Sequence, residues 1–147
     1  MTTSINEEIK NLFKLKKIEE ANKLLGYNFY IEAPVIHGYQ NGRKINFPTI
    51  NQEIKENILP NGVYISRCII GDKIYKSMSN IGTHPTLSQL KKPIIETHII
   101  GFSESIYEQI IKVEILSFLR EETKFPSLKD LKEQLTQDCI KAQKYEL

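Results

Sequence analysis

Five short segments with the composition of β-strands fill the middle of the chain, and turns separate them. The predicted strands cover residues 35–38, 62–70, 73–81, 94–101 and 110–118. Only Gly71 and Asp72 separate the second strand from the third, which is typical of a two-residue β-hairpin. Several short strands with tight turns predict a mainly β fold, built as a small antiparallel β-barrel.

A helix with an apolar stripe is predicted on each side of this β region. The N-terminal helix starts at a capping-box pattern, Ser4 to Glu7, and ends at Gly26. Its stripe consists of Ile9, Leu12, Phe13, Ile18, Ala21 and Leu25. The second helix begins near Ser127, and its apolar side consists of Leu128, Leu131, Leu135 and Ala142. We therefore expect an N-terminal helix and connector over residues 1–29 and a barrel domain with a C-terminal helix over residues 30–147.

Length, charge and cysteine use restrict the class of protein. A chain of 147 residues is long enough to bury the core of one domain. Its net charge of +2 is too small and too evenly spread to indicate a nucleic-acid ligand. Cys68 and Cys139 are far apart and form no metal-binding pair, so we expect free thiols in a reducing compartment. Without a signal-peptide pattern or an apolar run of ~20 residues, a soluble, cytoplasmic protein with no membrane partner is expected.

The segment that starts at Gly38 has the composition of an anion-binding turn. Gly42 stands next to Arg43 and Lys44. A glycine lets backbone amides approach anionic oxygens closely, and the two cations offset phosphate charge. Gly38 can do the same at the other side of the turn. A solvated turn that leads into a strand is the alternative interpretation.

Two small oxygen ligands follow this turn. Pro48 fixes its own φ angle and stiffens the backbone that leads into Thr49. If residues 49–51 are extended, the Thr49 hydroxyl and the Asn51 amide oxygen point to the same face. Hard oxygen donors of this kind suit Mg²⁺, which prefers a few protein oxygens together with phosphates and water. The whole segment therefore predicts a cradle for a metal-bound polyphosphate.

The predicted strand at 94–101 carries an unusual polar pair. Strict alternation places Ile94, Glu96, His98 and Ile100 on one face. A carboxylate and an imidazole between isoleucines are not a clean solvated pattern. The residues alone leave open a wall that faces a ligand, an internal polar pair and a strand carboxylate that faces water.

Six motifs, in order and with matching spacing, resemble those of riboflavin kinase. They are His37-Gly38, Pro48 to Asn51, residues 60–64, residues 80–86, Glu96 to His98, and Leu119-Arg120 followed by Lys124-Phe125. The resemblance runs from about Tyr30 to the C-terminus and points to the C-terminal kinase domain of bacterial bifunctional riboflavin kinase/FAD synthetase. It implies a Greek-key-like barrel that transfers the γ-phosphate of ATP to the 5′-hydroxyl of riboflavin, giving FMN and ADP.

The resemblance also implies roles for individual residues. Glu96 takes the place of the catalytic carboxylate. The ATP-binding positions are Gly38, Gly42, Arg43, Thr49 and Asn51, and the last two also hold the divalent metal, Mg²⁺ with Zn²⁺ or Mn²⁺ as alternatives. Arg120 and Phe125 lie in the flavin-binding segment; a surface cation and a core anchor are their alternative interpretations.

The N-terminal helix resembles the connector that follows an FMN adenylyltransferase domain in bifunctional bacterial enzymes. Adenylyltransferases of that type use a pair of histidines in an HxGH motif. The only histidines here are His37, His84 and His98, which form no such pair. We therefore expect a monomeric riboflavin kinase without FAD synthesis, either a stand-alone protein or part of a longer one, with riboflavin and ATP as its only partners.

Two other classes of function stay open at this point. A regulatory domain would keep the flavin pocket and lose turnover, although the retained Thr49, Asn51 and Glu96 argue against it. A nucleic-acid-binding barrel would need basic residues interleaved with exposed aromatic residues on one sheet face. The seven tyrosines are scattered along the sequence, which argues against this second class.

Overall fold

The computed structural model describes residues 5–36, 48–56, 58–83, 93–102, 104 and 106–146. Within these ranges the chain forms three helices and six strands. The helices are α1 (Glu7–Lys14), α2 (Ile18–Leu25) and α3 (Leu128–Lys144). The strands are β1 (Tyr30–Pro34), β2 (Ile50–Glu53), β3 (Gly62–Ile70), β4 (Lys73–Thr83), β5 (Pro93–Ile99) and β6 (Ile110–Arg120).

The strands form one antiparallel sheet in the order β1-β6-β3-β4-β5-β2. Strands β3, β4 and β5 follow one another as neighbours, and β6 returns to lie beside β3, which is a Greek key. Just after β1, the Ile36 amide donates to the Asn51 carbonyl oxygen at 2.8 Å and brings the two edge strands together. The predicted fold, a mainly β Greek-key barrel with helices at both ends, is confirmed.

The hairpin and four of the five predicted strands agree with the structure to within two residues at each end. Strand β3 has the predicted bounds, and Ile70 pairs with Lys73 across a turn in which Gly71 has a φ of +63°. The strand predicted at 35–38 is wrong at Val35, because the first strand ends at Pro34; Ile36 forms only an isolated bridge with Asn51, and residues 37 and 38 lie outside the described residues. Strand β1 is exposed along one side, so its apolar pattern is weak.

A chain of hydroxyl groups crosses the interior of the barrel. Ser66 Oγ lies 2.7 Å from both Ser77 Oγ and Ser79 Oγ, and Ser79 Oγ lies 2.8 Å from Thr97 Oγ1. All four side chains are fully buried. Each hydroxyl therefore finds partners inside the barrel, which removes the penalty of burying a polar group.

The N-terminal region contains two helices, so the prediction of one continuous helix is wrong. Lys16 has a φ of +65°. The Lys16 and Lys17 amides donate to the carbonyl oxygens of Phe13 and Leu12, which is the Schellman pattern that ends a helix. The Asn6 side chain caps α1 by accepting from the Ile9 amide at 2.9 Å, in place of the predicted capping box. The predicted end at Gly26 is confirmed, with a left-handed φ of +89°.

The break between the helices lets both pack on the barrel. Phe13 on α1 and Ile18 and Leu25 on α2 are fully buried. They belong to the same apolar core as Ile31 of β1 and Ile115 of β6. The division into residues 1–29 and residues 30–147 remains a prediction.

Helix α3 begins as predicted, but its apolar side differs from the prediction. Ser127 caps it by accepting from the Asp130 amide at 3.2 Å. Leu128 is 51% exposed, whereas Ala142 is buried against Ile65 and Leu116 on the outer face of the barrel. The apolar pattern failed at Leu128 because the buried residues of α3 are Asp138 and Ala142, in the second half of the helix, whereas Leu128 is its first residue. In the described part of the chain, no helix is both long enough and apolar enough to cross a membrane.

Candidate active site

Three neighbouring strands bring a carboxylate and two amides into one row. Glu96 on β5 pairs with Asn51 on β2 and with Asn80 on β4. Side chains of residues directly opposite each other in an antiparallel pair lie on the same face, about 4.5–5.5 Å apart at Cβ. We call Asn51, Glu96 and Asn80 the polar row. The buried neighbours Ile95 and Thr97 point into the barrel, so the polar row lies on its outer face.

The two amides of the polar row carry buried oxygen atoms that lack partners. Asn51 is only 2% exposed, and neither its Oδ1 nor Asn80 Oδ1 has a hydrogen-bond partner among the described residues. Leaving a buried acceptor unpaired costs about 1–3 kcal/mol. Two such acceptors beside a carboxylate indicate a place built to receive a cation or hydrogen-bond donors.

The donor set of the polar row fits a hard cation better than a zinc-type site. Amide, hydroxyl and carboxylate oxygens are the ligands that Mg²⁺ accepts. Within the described ranges, no three His, Cys, Asp or Glu side chains cluster in a way that would hold a metal. A cation here would therefore depend on the Asn51 oxygen and on other oxygen donors, such as phosphates and water.

Glu96 and His98 share a face, as the alternation predicted, and both are half-buried. His98 Nδ1 lies 2.9 Å from the Pro48 carbonyl oxygen. Burial lowers the pKa of His98, and the hydrogen bond to Pro48 offsets part of that change. The neutral ring is therefore favoured, and it ties β5 to the residues that lead into β2.

A cavity of about 170 Å³ opens beside the start of β2. Its walls are about equally polar and apolar and include Val35, Thr49, Ile50, Phe102, Ile106 and Tyr107. Thr49 thus lies between this cavity and the strand that carries Asn51. The cavity residues after β5 could not be predicted from the sequence, because they match none of the recognised motifs.

Arg120 lies at the far end of the polar row, since Val63 pairs with both Asn80 and Arg120. Its guanidinium donates to both carboxylate oxygens of Asp138 on α3, at 2.8–3.1 Å, and to the Glu121 carbonyl oxygen at 3.0 Å. It also lies 5.8 Å from the centre of the Phe125 ring, which is half-buried. Their predicted contact with a flavin remains a prediction.

Glu122 is a candidate site residue that the sequence reasoning did not single out. A Cβ atom added to Gly82 would lie 2.8 Å from Glu122 Oε2, so this carboxylate rests against the backbone of β4. Gly82 is two residues after Asn80 and lies on the same face. The signal that was available is the glycine itself, because glycine within a strand often marks a close approach. The predicted phosphate-binding residues Gly38, Gly42 and Arg43 lie outside the described residues.

These features define a Greek-key barrel whose outer face carries a polar site bordered by the C-terminal helix. The riboflavin kinase family model, Flavokinase, matches residues 25–146, and the chain belongs to this family. A bifunctional riboflavin kinase/FMN adenylyltransferase from Bacillus subtilis is 36% identical over 132 residues, which are 87% of this chain and 42% of that protein. The chain thus spans less than half the length of this curated relative.

Two solved structures share the fold. A protein described as a macrolide-efflux protein from Streptococcus pneumoniae matches with a TM-score of 0.86 at 27% identity, over 97% of this chain and 48% of that one. Riboflavin kinase from Trypanosoma brucei matches with a TM-score of 0.55 at 18% identity, over 78% and 76% of the two chains. The second likeness supports the fold alone.

Proposed function

We propose that this chain is a riboflavin kinase that transfers the γ-phosphate of ATP to the 5′-hydroxyl of riboflavin and releases FMN and ADP. The observation that carries the proposal is the polar row, Asn51, Glu96 and Asn80, in a member of the riboflavin kinase family. A primary alcohol is a poor nucleophile at neutral pH, and the Glu96 carboxylate would accept its proton. Such base catalysis contributes roughly 10²–10⁴-fold.

The remainder of the rate enhancement would come from positioning and charge neutralisation. Asn51 Oδ1 and the Thr49 hydroxyl would hold a divalent cation, for which Mg²⁺ fits the oxygen donors, with Zn²⁺ and Mn²⁺ as the other candidates. When bound, this cation would neutralise charge on the phosphates of ATP. Gly38, Gly42 and Arg43 would wrap the same phosphates.

The arrangement of the polar row supports separate places for the two substrates. The cavity adjoins Thr49, and apolar side chains in its walls, such as Ile50 and Phe102, would suit a planar base, so ATP would bind at the Asn51 end. Arg120 and Phe125 would contact riboflavin at the opposite end, beyond Asn80. Glu96 lies between Asn51 and Asn80, which is where the hydroxyl and the phosphate must meet.

The test is a phosphoryl-transfer assay with riboflavin, ATP and Mg²⁺, in which FMN and ADP are separated by chromatography. Glu96→Gln keeps the size of the side chain and removes the base, so we expect kcat to fall by about 10²–10⁴-fold while the riboflavin Kd changes little. Glu32→Gln, an exposed carboxylate on β1, is the control and should match the wild type. A folded wild type that binds flavin without making FMN would instead support the regulatory alternative.

We further propose that this chain makes FMN without converting it to FAD. The sequence contains no HxGH motif, and its three histidines are separated. The chain incubated with FMN and ATP should release neither FAD nor pyrophosphate, whereas the Bacillus subtilis bifunctional relative serves as the positive control. FAD formed by the pure chain would overturn this part of the proposal.

We also propose a cytoplasmic monomer with no nucleic-acid or membrane partner. The two free cysteines and the small net charge support this proposal. Sedimentation equilibrium should give the mass of a single chain, and oligonucleotides or anionic vesicles should leave it unchanged.

A further inference from the structure

One side chain on the face of Glu96 contacts the backbone of the segment proposed to bind the cation. His98 lies two residues after Glu96, and its Nδ1 is 2.9 Å from the Pro48 carbonyl oxygen. A carbonyl oxygen can only accept, so in the neutral ring Nδ1 must carry the proton and donate it. The tautomer of His98 is thereby fixed.

The bonded carbonyl belongs to the peptide unit that joins Pro48 to Thr49. Regular pairing between β2 and β5 begins only at Ile50, which pairs with Thr97. Pro48 has no amide proton, so its carbonyl oxygen is its one backbone group available for hydrogen bonding. The His98 side chain therefore extends the contact between the two strands one step beyond the ladder.

Fixing this peptide unit also restrains the direction of the Thr49 side chain. Thr49 and Asn51 are two residues apart, so their oxygens converge only while the backbone between Pro48 and Asn51 stays extended. Loss of the His98 contact would free the peptide plane just before Thr49. The backbone of Asn51, which pairs with Glu96 in the strand ladder, would keep its place.

We propose that His98 is a positioning residue, whose hydrogen bond to the Pro48 carbonyl holds Thr49 in register with Asn51 for binding the metal–nucleotide complex. This inference rests on the proposed function, and it assigns two tasks to β5. The strand carries the base Glu96. Through His98 it also holds the position of the proposed metal ligands on the segment from Pro48 to Asn51. The imidazole acts through Thr49 and does not touch the reacting atoms.

Two amide variants of similar polarity separate this role from simple packing. In His98→Asn, the side-chain nitrogen can occupy the place of Nδ1 and keep the donor. In His98→Gln, the nitrogen falls closer to the place of Nε2 and the donor to Pro48 is lost. We expect His98→Gln to raise the KM for MgATP and the Mg²⁺ concentration for half-maximal rate by about 10–100-fold, the usual effect of losing a residue that orients a metal ligand.

The riboflavin Kd of His98→Gln should stay within about twofold of the wild type, and His98→Asn should recover most of the MgATP affinity. Three results would each overturn the inference: an equal loss of MgATP affinity in both variants, an equal loss of riboflavin and MgATP affinity in His98→Gln, or an unchanged KM for MgATP in His98→Gln. Calorimetric titration of ADP in the presence of Mg²⁺ gives the same comparison without turnover. A wild type that binds MgADP but forms no FMN would therefore defeat the proposed function and still leave His98 testable.

A measurement on the wild type keeps the inference testable if both variants fail to fold. Nitrogen-15 NMR of the histidine rings reports which ring nitrogen carries the proton. The inference requires the Nδ1–H tautomer for His98 in the neutral ring. An Nε2–H tautomer would mean that no hydrogen bond to Pro48 exists and would overturn it.

Discussion

At the scale of single residues, the interior of the barrel sets the chemistry of Cys68. Its thiol is fully buried and contacts Ser77 Oγ at 3.5 Å. Burial raises the pKa of Cys68 to about 12, and the hydrogen bond with Ser77 offsets only part of that change. Since thiolates are the reactive form, this group should be inert in the folded protein.

We expect the Cys139→Ser variant, which keeps only Cys68, to be unreactive toward a chromogenic disulfide reagent until denaturant is added. The half-buried Cys139 provides the comparison in Cys68→Ala, because burial and the nearby Asp138 carboxylate also raise its pKa. It should react slowly in the native state. Rapid labelling of Cys68 in the native protein would contradict its burial.

The raised pKa of Cys68 predicts how the stability of the protein depends on pH. The native state holds the Cys68 thiol neutral up to about pH 12, whereas the unfolded thiol ionises near its ordinary value of 9.0. The stabilisation is therefore complete below pH 9.0 and decreases as the pH rises toward 12. Urea midpoints measured on both sides of pH 9.0 should fall more for the wild type than for Cys68→Ala. Equal declines would contradict this assignment.

Some site residues could be predicted from the sequence and others depended on strand register. Thr49, Asn51 and Glu96 could be proposed as site residues because they stand in short motifs of a recognised family. Asn80 also stands in a motif, but its place opposite Glu96 depends on how β4 pairs with β5. A shift of one residue would turn a side chain to the other face, and no local pattern specifies this pairing. The contact between His98 and Pro48 could not be predicted from the sequence for the same reason.

At the scale of elements, the start of β3 is fixed by contact with β6. Gly62 has a φ of +155°, and a Cβ atom there would lie 2.6 Å from Phe118 Cε2 and 3.2 Å from the Arg120 carbonyl oxygen. We expect Gly62→Ala to destabilise the protein by about 1–3 kcal/mol, as overpacking commonly does. Chemical denaturation monitored by circular dichroism measures this change.

Gly71→Ala is the matched control for that substitution. Gly71 also has a positive φ, +63°, but no atom lies within 4 Å of the added Cβ. Only the backbone conformation is strained, at a cost of about 1 kcal/mol. Adding Phe118→Leu to Gly62→Ala should recover part of the lost stability. Failure to recover any would mean that the Phe118 ring is not the obstacle.

The attachment of α3 depends on an ion pair. The side chains of Asp138 and Arg120 are 1% and 20% exposed, and Gln134 also donates to Asp138 at 3.0 Å. Asp138→Ala should lower the free energy of unfolding by about 3 kcal/mol, because Arg120 keeps a largely buried charge without its partner. Glu7→Gln, which removes the exposed pair with Lys10, should change it by less than about 0.5 kcal/mol. Similar effects from both substitutions would contradict the structural role of Asp138.

The elements predicted best were those with strong local signals. The hairpin at Gly71 and the cap at Ser127 each use residues that favour one backbone conformation. The break between α1 and α2 falls at Lys16, whose positive φ is uncommon for lysine and leaves no pattern in the sequence. Tertiary packing decides this break, since both helices bury their apolar residues in the same core.

At the scale of the whole molecule, the N-terminal helices and the barrel share more than an apolar surface. Asn22 on α2 donates through Nδ2 to the Ile115 carbonyl oxygen and accepts from the Phe29 amide through Oδ1, both at 2.9 Å. The Ile115 amide in turn donates to the Phe29 carbonyl oxygen at 2.8 Å. One buried amide therefore connects α2, the segment before β1 and the centre of β6.

The common core and the Asn22 hydrogen bonds predict that the helices and the barrel unfold together. Phe13→Ala should remove about 3–5 kcal/mol of stability, because it leaves a cavity in the common core. Leu24→Ala, at a side chain that is 51% exposed on α2, should have little effect. A chain limited to residues 30–147 would lack Phe13 and Asn22, expose the apolar side of β6, and fail to give a cooperative thermal transition. If that shorter chain melts cooperatively and still forms FMN, the barrel is an independent unit and the helices are only a connector.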